Sequence, residues 1–113
     1  MATVTFDPDC SMDLNLELIK RPASTFFMRA AGTSMTGAGI YPEDILIVDR
    51  SLEATDRKVI IAIVNGELTV KRLRLKDGRA FLVAENEGYP PIEITGHMEF
   101  AVWGVVTYVV HSV

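Results

Sequence analysis

The sequence predicts one mostly-β domain, built of short antiparallel strands and hairpins, barrel-like and with little helix. Three observations carry that expectation. Short β-branched runs follow one another from Ser24 onward. Asn65-Gly66 stands between two of them, the strongest hairpin signal in the chain, and Asp77-Gly78 links a second hairpin in series. Ile45-Leu46-Ile47-Val48 is a continuous apolar run, the pattern of a strand buried on both faces. Many short strands joined by tight turns make a barrel-like or multi-sheet domain.

Residues 1–12 sustain no period, and Asp7-Pro8-Asp9 favours a turn, so an extended or mobile arm is expected there, ahead of a domain over residues 13–113. Asp13 can cap a short helical turn through Leu14, Leu18 and Ile19 that Pro22 ends, while the Leu14, Leu16, Leu18 alternation permits an extended segment instead. Thr25 to Ala30 reads as a strand running into the glycine-rich segment Gly32 to Gly39. Tyr41-Pro42-Glu43-Asp44 makes a turn into the Ile45–Val48 strand, and Asp44 and Asp49 are expected to cap its ends. Lys58 to Val64 and Glu67 to Leu75 form the first hairpin, and Ala80 to Ala84 completes the second. Tyr89-Pro90-Pro91 leads into Ile92-Glu93-Ile94, and a strand pair around Gly104 is expected to close the chain.

The chain has 113 residues, of which 49% are hydrophobic, enough for one core. A net charge of −4 argues against a nucleic-acid surface spread over the whole domain. The cluster Lys71, Arg72, Arg74, Lys76 and Arg79 reads as the solvated face of a strand and its turn. Cys10 is the single cysteine, so no intrachain disulfide can form, as suits a reducing, cytoplasmic setting. With one cysteine and only His97 and His111, ligands for a structural zinc are too few. Gly37-Ala38-Gly39 is not followed by Gly-Lys-Ser/Thr, so a phosphate loop is not expected. Neither a signal peptide nor an apolar membrane span is legible, and no cofactor is expected.

What remains is Ser34, in Gly32-Thr33-Ser34-Met35, and Lys71, which interrupts the apolar stretch Leu68 to Leu73. Singly, a serine in a glycine-bounded turn and a lysine in a strand are ordinarily structural. Together they can make a hydrolytic centre, with serine as nucleophile and neutral lysine as general base. A free lysine has a pKa of about 10.4, and moving it to 7 or 8 takes roughly 4 kcal/mol, within reach of burial. Strand parity puts Lys71 on one face with Thr69, Leu73 and Leu75, and Arg72 and Arg74 on the other. Backbone N–H groups of the Gly32, Thr33 and Met35 turn can stabilise the oxyanion of such a reaction.

Pro22 to Phe27, Ala31-Gly32-Thr33-Ser34-Met35, Gly39-Ile40, Asp44 to Asp49, Val64 to Leu73 and Phe100 to Val109 resemble the LexA/UmuD-type family of Ser–Lys self-cleaving proteins of the bacterial SOS response, the UmuD branch above all. The resemblance spans about residues 13–111 and implies that Ser34 matches the nucleophile and Lys71 the base. It also implies a homodimer. In that family a RecA filament on single-stranded DNA stimulates the protein to cut its own N-terminal arm at an Ala-Gly or Cys-Gly bond. The shortened dimer then joins UmuC, a Y-family polymerase, in error-prone translesion synthesis. Here Cys10 is followed by Ser11, and the Ala-Gly bonds, Ala31-Gly32 and Ala38-Gly39, flank Ser34 itself. The resemblance therefore implies the shortened, polymerase-activating form, with no sequence-specific DNA binding and no membrane association. Two alternatives stand beside it: a peptidase that cuts the arm of a longer partner in trans, and the dimerisation domain of a LexA-like repressor.

Overall fold

The structure is a computed structural model and describes residues 3–6 and 18–113. Eight strands account for almost all of its regular structure: β1 Thr3–Phe6, β2 Thr25–Ala31, β3 Ile45–Asp49, β4 Val59–Val64, β5 Glu67–Lys76, β6 Arg79–Val83, β7 Ile92–Glu93 and β8 Phe100–Val110. Two short 3-10 turns, Pro22–Ser24 and Thr36–Ala38, are the helical content of the described residues. The strands form one antiparallel sheet in the order β1-β2-β3-β8-β4-β5-β6-β7. It curls into a half-barrel until β1 meets β5 at the pair Thr3↔Thr69.

Local chemistry explains the hairpins. Asn65 and Gly66 have φ of 49° and 82°, and Asp77 and Gly78 have 53° and 72°. Positive φ at both central residues matches the right-handed twist of the flanking strands, and Asn, Asp and Gly tolerate it best. The two turns join β4 to β5 and β5 to β6 in register, with Val64 opposite Glu67 and Lys76 opposite Arg79.

Curling buries both faces of the central strands. Met28, Ala30, Leu46, Val48, Ile61 and Val70 pack with Val4, Met35 and Ile40 in one cluster. Ile60, Ala62, Leu73, Leu82 and Val105 form the other. Ile61 contributes to the first cluster and its neighbours Ile60 and Ala62 to the second, as period-two alternation requires. Every residue of β3 is buried, as its unbroken apolar run predicts.

One expectation changes. Residues around Gly104 form one continuous strand, β8, rather than a strand pair. Gly104 is not at a turn: it pairs with Ile61 within the ladder, and a Cβ there would lie 2.6 Å from Val48 Cγ1. The glycine serves close packing between adjacent strands, and register shifts at Ile47/Val48 and Ile61/Ala62 let β8 bend along β3 and β4. Within the stretch read as an extended or mobile arm, Thr3–Phe6 are extended and pair with Met28 to Ala31 as β1. Cys10, and the segment from Asp13 apart from Leu18 and Ile19, lie outside the described residues.

Candidate active site

The chain leaves β2 at Ala31 and turns sharply at Gly32, whose φ of 79° is open to glycine at little cost. Met35 and Ile40, 0% and 3% exposed, anchor the segment in the first core cluster. Between them Ala38 and Ile40 donate backbone N–H groups to the Met35 carbonyl. Gly39, at φ 80°, then reverses the chain. With Met35 pinned inward, its neighbour Ser34 is also fully buried.

Lys71 reaches the same point from β5. Its cross-strand partner is Ile60, itself 0% exposed, and Lys71 is 3% exposed. The ammonium nitrogen lies 2.8 Å from Ser34 Oγ, 3.2 Å from the Val70 carbonyl and 3.4 Å from Thr69 Oγ1. Parity is as expected for Thr69, Lys71 and Leu73, which are all buried, while Leu75 runs out to solvent at 45% exposure. Alternation alone does not reveal that Val70, on the opposite face, is equally buried.

Among the described residues no carboxylate pairs with Lys71. Desolvation therefore acts unopposed, and it lowers the pKa to about 8. A lysine with that pKa is about one-tenth neutral at pH 7, against fewer than one in a thousand for a free lysine. A neutral amine at 2.8 Å from a hydroxyl can accept its proton. The electrostatics and the geometry thus agree on one kind of chemistry, proton removal from a buried serine.

Of the other turn residues, Gly32 and Thr33 are exposed while Met35 is core. The Thr33 carbonyl accepts a hydrogen bond from Asn86 Nδ2 at 2.7 Å, and Thr33 Oγ1 lies 3.5 Å from the Tyr89 hydroxyl. Gly37 donates its N–H to the Glu85 carbonyl at 2.6 Å. The segment after β6 therefore packs on the serine turn. Sequence reasoning gives it no role, because Glu85-Asn86-Glu87-Gly88 looks like any polar loop. An open cleft of about 520 Å³ lies along this junction, lined by Thr36, Gly37 and Ala84 to Glu87. A more enclosed cleft of about 320 Å³, between Leu52, Lys58, Val105 and Tyr108, shares no residue with the serine and lysine.

The remaining candidates resolve as structural. Asp44 accepts the Tyr41 N–H at 2.8 Å and so closes the turn before β3. At the other end burial pushes the Asp49 carboxyl up. Hydrogen bonds from the Ser51 hydroxyl and N–H, then Ser24 and Arg21, outweigh that and lower its pKa to about 2. The basic cluster is largely neutralised, Arg72 by Glu85, Arg74 by Asp56 and Arg79 by Glu93. His97 is exposed, and His111 packs edge-on to Tyr41. No group of potential metal ligands occurs among the described residues, and no helix there is long and apolar enough to cross a membrane.

Comparison with known proteins identifies the family. Residues 2–107 match the family described as Peptidase S24-like. The chain is 41% identical over 101 residues to the protein SamA of Salmonella typhimurium, covering 89% of this chain and 69% of that protein. It is 40% identical over 100 residues to the protein ImpA of Escherichia coli, covering 88% and 68%. For the protein MucA of Escherichia coli the identity is 38% over 99 residues, covering 85% and 67%. With residues 2–107 of the 113 matched by the family and about two thirds of each relative covered, the chain belongs to the Peptidase S24-like family, the serine peptidases of LexA/UmuD type.

Proposed function

We propose that this chain is a UmuD-like SOS-response protein, a dimeric accessory subunit of an error-prone Y-family polymerase, and that it carries a Ser34–Lys71 peptidase centre. The observation that supports the centre above all others is the 2.8 Å approach of Lys71 Nζ to Ser34 Oγ in a setting with no competing carboxylate among the described residues. In the reaction Ser34 Oγ attacks a peptide carbonyl and its proton passes to neutral Lys71. Backbone N–H groups of the Gly32, Thr33 and Met35 turn hold the oxyanion. The ammonium of Lys71 then returns the proton to the leaving amine, which frees the C-terminal fragment and leaves an acyl-serine. Water, deprotonated by the same lysine, hydrolyses that ester. The Thr69 hydroxyl and Val70 carbonyl orient the amine throughout. Lysine has a single basic nitrogen, so no third group is needed to select a tautomer. Ser34 is fully buried, so a substrate carbonyl reaches Oγ only when a covering residue gives way.

The polymerase partnership, the homodimer and stimulation by a RecA filament follow from the family resemblance. A second reading, cleavage of a longer partner in trans, is supported by the intact geometry of the serine and lysine. The test offers the chain a full-length UmuD-like partner that carries its Cys-Gly bond but lacks its own nucleophile. Products are followed by mass spectrometry, with sedimentation and polymerase capture run in parallel. Cutting by the wild type and not by Ser34→Ala, with both forms dimeric and both retaining the polymerase, is the expected result. Cutting by Ser34→Ala would remove the serine from the mechanism, and a monomeric chain unable to hold the polymerase would remove the accessory role.

A further inference from the structure

Ser34 and Lys71 come from different elements, one from a turn and one from the middle of β5, and neither backbone touches the other through the sheet ladder. A reactive pair must be held to within about 0.5 Å of its working geometry. The serine turn is anchored at its two ends and at Met35, while Gly32, Thr33, Gly37 and Gly39 are exposed. Something else has to fix its distance from β5.

The segment after β6 does so. β6 pairs with β5 as far as Arg72↔Val83, so the chain leaves the sheet level with Lys71 and passes directly onto the serine turn. There it makes three attachments. The Glu85 carboxylate takes the guanidinium of Arg72, the residue after Lys71. The Glu85 carbonyl takes the Gly37 N–H, and the Asn86 amide donates to the Thr33 carbonyl, one residue before Ser34. The contacts form a closed circuit from Lys71 through Arg72, Glu85 and Asn86 to Thr33, Ser34 and back to Lys71. Gly37 is part of the fit, since a Cβ there would stand 2.5 Å from the Glu85 carbonyl oxygen.

We infer that Glu85 and Asn86 are positioning residues of the Ser34–Lys71 centre, clamping the serine turn onto β5 so that the hydroxyl and the amine stay in contact and out of water. This rests on the dyad reading above and adds the groups that hold it together. They touch neither reacting atom, and they act through Thr33, Gly37 and Arg72.

The test uses Asn86→Leu and Glu85→Met, each close in size to the original and each removing one attachment. Two quantities are read for the wild type and both variants: the titration midpoint of Lys71, by NMR of its side chain, and the rate at which a small fluorophosphonate modifies Ser34. In that modification an Oγ–P bond forms, fluoride leaves and the proton passes to Lys71. Loosening the clamp admits water, so the Lys71 midpoint is expected to climb by at least one unit from about 8 toward 10.5. The neutral fraction at pH 8 then falls from about one half to about one tenth, and modification slows about fivefold or more. Removing the Glu85 carboxylate would by charge alone lower a nearby lysine's pKa, so a rise in Glu85→Met is a geometric effect. A residue needed only for stability would lower the melting temperature and leave the midpoint where it was. Unchanged midpoint and rate in both variants, beside a reactive wild type, overturn the clamp and leave the dyad standing. An inert wild type with Lys71 titrating near 10.5 overturns the dyad and the clamp together.

Discussion

Replacing Lys71 by Met keeps an unbranched apolar side chain, one atom shorter, and removes the group that cannot be both buried and charged without cost. The wild-type lysine titrates near 8 in the folded chain and near 10.5 in the unfolded one. Between those values the unfolded chain binds more protons than the native one, so the lysine's contribution makes stability rise with pH across that window. Below pH 8 the full penalty of holding an ammonium out of water is present, and above 10.5 it is gone. A shift of 2.5 units corresponds to roughly 3.4 kcal/mol, and about 3 kcal/mol of it falls between pH 7 and pH 10.5. The hydrogen bonds of Lys71 to Ser34, Val70 and Thr69 add an offset to the comparison, and in the neutral form that offset does not vary with pH. Urea unfolding of wild type and Lys71→Met at matched pH values isolates the effect, because distant titrations, tyrosines included, cancel in the difference. The variant's stability relative to wild type should fall by about 3 kcal/mol from pH 7 to pH 10.5. A difference constant to within about 0.5 kcal/mol over that range would mean that Lys71 is not desolvated, and the argument for a neutral base would fail with it.

Cleavage in trans should follow the neutral fraction of Lys71, rising about ninetyfold from pH 6 to pH 9 and then levelling; a rate still climbing tenfold per unit through pH 10 would indicate an unshifted lysine. Gly104→Ala places a methyl 2.6 Å from buried Val48 Cγ1 and should destabilise the fold by about 1–3 kcal/mol in chemical denaturation, whereas a neutral result would show that β8 and β3 can separate freely there. Asp49 has its pKa lowered to about 2 by the Ser51, Ser24 and Arg21 hydrogen bonds, so its stabilisation is complete above pH 4 and lost as pH falls through 2. Asp49→Asn should therefore be less stable than wild type at pH 7, with the gap closing toward pH 2; a gap independent of pH would assign the loss to packing instead.

Much of the fold was legible because its signals are short-range. Asn65-Gly66 and Asp77-Gly78 carry their own backbone conformations, and the Ile45–Val48 run needs no partner to announce burial on both faces. The candidate site was legible through residue chemistry, a serine among glycines and a lysine among apolar strand residues, and through the resemblance that joined them. Gly104 misled because a glycine can mark either a turn or a close approach, and only the neighbouring strand decides which. Nothing in Glu85-Asn86 distinguishes a clamp from an ordinary loop, since its meaning lies in the turn it lands on. Residue types and turn chemistry determined a mostly-β chain with a serine and a lysine of the kinds that a hydrolytic dyad would need. The 2.8 Å contact, the lowered lysine pKa and the circuit through Arg72, Glu85 and Asn86 were decided by tertiary structure. Desolvation and alignment are properties of what surrounds a group, and residues far apart in the chain supply those surroundings only once the sheet has curled.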